Sequence, residues 1–82
     1  MKTCVIGLGY IGTPLSVLIA ESDIEVIGID KNPDVIERFN HGKTNKCEID
    51  VSRRLKRLID SRKIVAVQDL PICQNYIVAV PT

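Results

Sequence analysis

Tryptophan is absent from this chain, phenylalanine and histidine occur once each, and methionine appears only at position 1. Cysteine is nearly as sparse. Cys4, Cys47 and Cys73 form an odd set with no C-x-x-C spacing, and His41 is the sole histidine. That pattern argues against a zinc site or a disulfide framework, and the expectation is reduced thiols in a cytoplasmic protein, with Cys4 in a core. Charge imbalance is also missing. A formal net charge of +1 gives no bulk attraction to nucleic acid or to a membrane surface. No apolar run approaches the ~20 residues of a membrane span. The chain enters an apolar segment almost at once, so no signal peptide is expected. Internal repeats, low-complexity tracts and flexible linkers are absent too. At 82 residues the chain suits one small domain that can bury a core with little margin.

What is present concentrates near the start. Residues 3–6, Thr-Cys-Val-Ile, suit a buried parallel strand. Gly7-Leu8-Gly9-Tyr10-Ile11-Gly12 follows. In such a run the first glycine makes the tight turn, the second lets a pyrophosphate approach the backbone, and the third lets the next helix pack closely. That helix presents free N–H groups and partial positive charge to an anion. Pro14 falls in its first turn, where a missing N–H costs little. Ile11, Leu15, Leu18 and Ile19 recur at i, i+4, i+7 and i+8, which predicts an apolar stripe facing a sheet. Residues 25–29 read as a second strand ending at Asp30, close to the spacing at which an acid meets the adenosine ribose. A carboxylate there repels a 2′-phosphate, which favours NAD over NADP, while the neighbouring cation Lys31 could tolerate one. The competing reading is a glycine-rich turn of another α/β protein, with Asp30 capping a loop.

The remainder extends the pattern. Asn32-Pro33-Asp34 is a helix start, with Asn32 as the cap and Val35, Ile36 and Phe39 as the buried face. Gly42 is placed to stop it in a left-handed conformation, with His41 in a capping or solvent role. Residues 43–48 read as a polar loop, and Asp50 can cap a third helix. Val51, Leu55, Leu58 and Ile59 supply its apolar face. Its other faces hold Arg53, Arg54, Lys56 and Arg57, with Arg62 and Lys63 beyond; a solvated face is favoured there over an anionic or subunit contact. Residues 64–67 and 76–80 form further strands. Only residues 68–75 join them, too few for a regular crossover helix, which predicts an extended or single-turn link. These elements make an α/β fold, a Rossmann-type parallel sheet of expected order 3-2-1-4, truncated after the first strand of its second half. The strand at 76–80 is then an apolar edge, a docking or aggregation hazard.

Val5-Ile6-Gly7-Leu8-Gly9-Tyr10-Ile11-Gly12 with Pro14-Leu15 resembles the opening of the UDP-glucose/GDP-mannose dehydrogenase family. Glu25-Val26-Ile27-Gly28-Ile29-Asp30, Asn32-Pro33, residues 40–43 and Val78-Ala79-Val80-Pro81-Thr82 extend the resemblance along the chain. The short link at 68–75 most resembles the branch acting on UDP-N-acetylmannosamine. The resemblance implies an NAD-dependent oxidation of a nucleotide-sugar primary alcohol to a carboxylate in two hydride transfers. It implies cofactor contacts from Gly7, Gly9 and Gly12, from the Tyr10 and Ile11 backbone, and from Asp30, with Thr82 lying against the cofactor. Thr13 stands where the family commonly has leucine, and Glu48 keeps an acid whose surrounding loop differs. The family's catalytic cysteine, lysine and asparagine fall beyond residue 82, so no catalytic residue is assigned. The expectation is an N-terminal cofactor part, inactive alone, meeting a UDP-sugar only in the full-length protein. Assembly with a missing C-terminal part or into a homo-oligomer is expected of the parent. The alternatives are a non-catalytic dinucleotide-sensing or interaction module, and a 6-phosphogluconate or hydroxyacid type of dehydrogenase.

Overall fold

Four short segments rich in β-branched residues line up as one all-parallel sheet in the computed structural model, which describes residues 2–43 and 49–79. Strands β1 (Lys2–Ile6), β2 (Glu25–Ile29), β3 (Ile64–Val67) and β4 (Asn75–Val78) take the order β3-β2-β1-β4, as the sequence predicts. Helix α1 (Gly12–Glu21) joins β1 to β2, and helices α2 (Pro33–Asn40) and α3 (Ile49–Asp60) join β2 to β3. The direction of travel reverses at β1, which creates a switch point at the carboxyl ends of β1 and β4.

Each strand alternates its side chains between two faces. Val5, Val26, Ile64 and Ala66 meet Val17, Ala20, Phe39, Leu55 and Leu58 of the helices in one buried cluster. Val51 and Ile59 complete the expected face of α3. Local chemistry starts and stops α2 as anticipated. The Asn32 side chain accepts from the Asp34 N–H at 2.9 Å, Pro33 opens the helix, and Gly42 adopts φ 73° just past its end. His41 is the C-cap, its ring nitrogen 2.7 Å from the Glu37 carbonyl.

Three expectations need correction. The stripe Ile11, Leu15, Leu18 and Ile19 is not the buried face: Ile19 packs against the core at its margin, but Ile11 is 70% exposed and Leu18 56%. The buried face is Gly12, Thr13, Ser16, Val17 and Ala20. Small side chains let α1 lie close on the strands, and the Ser16 hydroxyl is satisfied by donating to the Gly12 carbonyl at 2.6 Å. Asp50 lies inside the first turn of α3 rather than before it, and pairs with Arg54 at 3.2 Å. The third correction concerns cysteine. Cys4 is fully buried, as expected of a core position, but it is joined to Cys73 in a disulfide. Their Cα atoms lie 6.3 Å apart, within the span such a bond requires. Cysteine spacing carried no hint of it because the bond is made by the sheet's topology, which returns residue 73 beside residue 4.

The link at residues 68–74 contains neither helix nor strand, as its length requires. Crossing from β3 to β4 covers about 14 Å of strand spacings and about 13 Å back along the strands. Together these make about 19 Å, which seven extended residues, reaching about 25 Å, can span with room for the bends at residues 68, 69 and 74 but not for a helix. Cys4 is in register with Tyr76, and both lie on the face opposite the Val5 cluster. The disulfide, and the Tyr76 hydroxyl donating to the Pro71 carbonyl at 2.9 Å, therefore place the link on the sheet face without helices.

Candidate cofactor site

The loop between β1 and α1 is pinned from three sides. Gly7 turns out of β1 at φ 100°, which only glycine adopts freely, and its N–H donates to the Ile29 carbonyl at 2.7 Å. The Leu8 N–H donates to Asp30 Oδ2 at 3.0 Å. The Leu8 side chain is buried over Gly28, where an added Cβ would come within 2.7 Å of Leu8 Cδ2. A glycine inside a strand signals such a close approach, and Gly28 two residues before Asp30 was that signal.

Each fingerprint glycine has a distinct physical reason. A Cβ on Gly12 would fall 1.6 Å from the Gly7 carbonyl oxygen, so α1 can start here only without a side chain. Gly9 is different: it is exposed, and a Cβ there would meet nothing within 4 Å. Packing within the chain does not demand glycine at that position. What a side chain would occupy is the space over the loop through which a ligand reaches the backbone.

The start of α1 suits an anion. Ile11 provides no side-chain cap, and the first turn carries no acidic residue. Thr13 N–H is taken by the Gly9 carbonyl at 3.1 Å and Pro14 has none, so the helix dipole is what the first turn offers beyond the loop's own N–H groups. Tyr10 and Ile11 are both exposed at this point, with backbone positioned beside Gly9.

Asp30 sits at the end of β2, half-buried, and its carboxylate serves the loop from both oxygens. Oδ2 accepts from Leu8 N–H and Oδ1 from Asn32 N–H, each at 3.0 Å. An ionised carboxylate has about four acceptor positions, so two remain for a vicinal diol. Lys31 is exposed, and its carbonyl accepts from Gln68 Nε2 at 3.3 Å. The structure thus brings Gly7, Gly9, Tyr10, Ile11, Gly12, Asp30 and Lys31 to the carboxyl ends of β1 and β2. Thr82 and Glu48 lie outside the described residues, as does Cys47.

Other chemistry is sparse. Among the described residues no group of three or more His, Cys, Asp or Glu could hold a metal ion. None of their helices is long and apolar enough to cross a membrane. Three of the basic residues around α3 are engaged in ion pairs. Arg54 grips Glu21 through two nitrogens at 2.6 and 2.8 Å, Lys56 pairs with Asp60 at 3.7 Å, and Lys63 with Asp23 at 2.8 Å. These contacts hold the Glu21 and Asp23 carboxyls below their ordinary values, chiefly through hydrogen bonds from Arg54 and Lys63.

Comparison with known proteins agrees with this geometry. Residues 1–82 match the family model for the NAD binding domain of the UDP-glucose/GDP-mannose dehydrogenase family. The UDP-N-acetyl-D-mannosamine dehydrogenase of Pyrococcus horikoshii is 35% identical over 85 residues, covering 100% of this chain and 20% of that protein. The enzyme of the same name from Campylobacter jejuni is 35% identical, covering 99% of this chain and 20% of its own length. The UDP-N-acetyl-mannosamine dehydrogenase structure from Staphylococcus aureus superposes with a TM-score of 0.94 at 30% identity, over all of this chain and 20% of that one. This chain therefore spans about a fifth of the length of the relatives it matches. Its fold, its glycine loop and these matches place it in the UDP-glucose/GDP-mannose dehydrogenase family, as that family's NAD binding domain.

Proposed function

We propose that these 82 residues form the adenosine and pyrophosphate half of the cofactor site of an NAD-dependent nucleotide-sugar 6-dehydrogenase. The parent enzyme would oxidise the primary alcohol of a UDP-sugar to the uronic acid, for polysaccharide biosynthesis in the cytoplasm. Relatives bearing the names UDP-N-acetyl-D-mannosamine dehydrogenase and UDP-N-acetyl-D-glucosamine 6-dehydrogenase support that substrate class. The observation that carries the reading is the conjunction at one sheet end: open space over Gly9, an uncapped α1, and Asp30 at the tip of β2.

When bound, NAD supplies the hydride acceptor. The Tyr10, Ile11 and Gly12 N–H groups would receive its pyrophosphate, and the free acceptor positions of Asp30 its adenosine ribose hydroxyls. Thr82 would lie against the cofactor, and Lys31 beside its ribose. Nicotinamide contacts, the sugar site and the catalytic residues belong to the rest of the parent protein. The chain alone is then expected to bind NAD or ADP-ribose weakly and to turn over no nucleotide sugar. Calorimetric titration with ADP-ribose, NAD and NADP tests the site. Asp30→Ala should weaken ADP-ribose binding about tenfold or more and narrow the preference for NAD over NADP. Unchanged affinities in Asp30→Ala would remove Asp30 from the ribose site. Reduction of NAD by this chain with a UDP-sugar would overturn the assignment of chemistry to other segments.

A further inference from the structure

We propose that Cys4 and Cys73 form a reversible thiol–disulfide switch that straps the 68–74 link across the helix-free face of the sheet. The two sulfurs differ in access. Cys4 is fully buried in β1, whereas Cys73 is only half-buried on the link. An incoming thiolate therefore reaches the Cys73 sulfur first.

Little else holds the link down. Ile72 is 96% exposed and Leu70 62%, so neither anchors it by burial. Its polar ties are exposed: Gln74 Oε1 accepts the Lys2 N–H at 2.6 Å, and the Tyr76 hydroxyl accepts the Cys73 N–H at 2.9 Å. Exposed hydrogen bonds of this kind open readily. The cross-link is thus the one covalent tie on a link otherwise held by exposed hydrogen bonds, that of the Tyr76 hydroxyl to Pro71 among them.

Its release reaches the glycine loop. Among the described residues, strand β4 pairs with β1 alone. Just past its end, Ala79 donates to the Ile6 carbonyl at 2.8 Å, and the Ala79 Cβ lies 3.5 Å from where a Gly12 Cβ would be. Freeing residues 71–74 loosens the entry to β4, and with it the wall behind the start of α1.

The reductant is a dithiol, whether a small molecule or a protein with paired cysteines. One of its thiolates attacks Cys73 Sγ, forming a mixed disulfide and expelling the Cys4 thiolate, which takes up a proton. Its second thiol, as thiolate, attacks the mixed disulfide and expels the Cys73 thiolate, which is protonated in turn. Two electrons pass from the dithiol to the protein, and the dithiol leaves as a disulfide.

The test uses the full chain prepared without reductant, with dithiothreitol as the probe. Alkylation under denaturing conditions and intact mass should count one free thiol before reduction and three after. Hydrogen exchange at the β4 amides and the glycine loop should accelerate on reduction, and Tm should fall by about 10 °C or more. Cys73→Ser should behave like the reduced protein and ignore dithiothreitol; this variant leaves the buried Cys4 position untouched. Three free thiols before reduction, a bond to Cys47 instead, or exchange and Tm indifferent to dithiothreitol would each overturn the proposal. So would a Cys73→Ser protein whose exchange still responds to dithiothreitol.

Discussion

The first β-α-β unit and the stretch from β3 to β4 are built on opposite principles. From β1 through β2 the loop is fixed by its glycines and by ties to the end of β2. Gly7 sets the turn, Gly12 lets α1 begin against the Gly7 carbonyl, and Asp30 holds the loop through Leu8. From β3 to β4 neither helix nor strand fixes the path. The link is held by side chains: a disulfide across 69 positions, Gln74 receiving the Lys2 N–H across 72, and the nearby Tyr76 hydroxyl. The first region is shaped by backbone geometry together with the Asp30 carboxylate. The second is secured by side-chain contacts that can be removed one at a time.

The sharpest way to break this contrast is at Gly12. Gly12→Ala places a methyl 1.6 Å from the Gly7 carbonyl oxygen, a backbone atom that cannot rotate away. Either the loop or the start of α1 must shift, and the expected cost is on the order of 4 kcal/mol, enough to unfold so small a domain. Urea unfolding would measure it. Gly9→Ala is the control, since its Cβ meets nothing within 4 Å. It should leave stability within about 0.5 kcal/mol while weakening ADP-ribose. Equal losses at the two glycines would mean the fingerprint is purely structural.

The second region should respond more gently. Tyr76→Phe removes a hydroxyl that donates to Pro71 and accepts from Cys73 N–H, both partly open to water. A loss of about 1 kcal/mol is expected while the disulfide is intact. In the Cys73→Ser background the same substitution should cost more, because the hydroxyl then carries a larger share of the attachment. Additive effects would show that the two ties act independently.

Legibility in the sequence follows the same division. The fingerprint, the Asn32-Pro33 helix start and the Gly42 stop could be read because each is a statement about one residue's backbone. Strands β2 and β3 were placed to the residue, and the order 3-2-1-4 followed from the Rossmann-type arrangement that the fingerprint implies. What escaped depends on distant partners or on close packing. The small face of α1 was hidden because periodicity rewards large apolar residues, while close approach to a sheet selects Gly12, Ser16 and Ala20. The clamp formed by Asn40 was hidden too. Its amide donates to the Ala66 carbonyl at 3.0 Å and its carbonyl accepts the Ala66 N–H at 2.8 Å, satisfying the backbone of edge strand β3 at that position. Nothing local to Asn40 points to this role, because the partner strand lies 26 residues away.

The smallest expected effect lies where the two regions meet. Glu21 at the end of α1 is gripped by Arg54 of α3, and Asp23 by Lys63 before β3. Both carboxyls titrate below their unfolded values, and Arg54 is pushed above its own by the hydrogen bonds it donates to Glu21 and Asp50. A carboxyl with a lowered folded pKa binds fewer protons folded than unfolded, so it contributes stability above the unfolded pKa and loses it as pH falls through the folded one. The contribution should therefore be complete near neutrality and fade below about pH 4, the unfolded carboxylate range. Exposure and salt screening keep it small. Thermal unfolding of wild type and Glu21→Gln from pH 7 down to pH 3 isolates the Arg54 pair. The variant should melt slightly lower at neutral pH, and the two curves should converge in acid. A gap that persists undiminished at the acidic end would assign the Glu21 effect to packing rather than charge, and α1 would then be joined to α3 by shape alone.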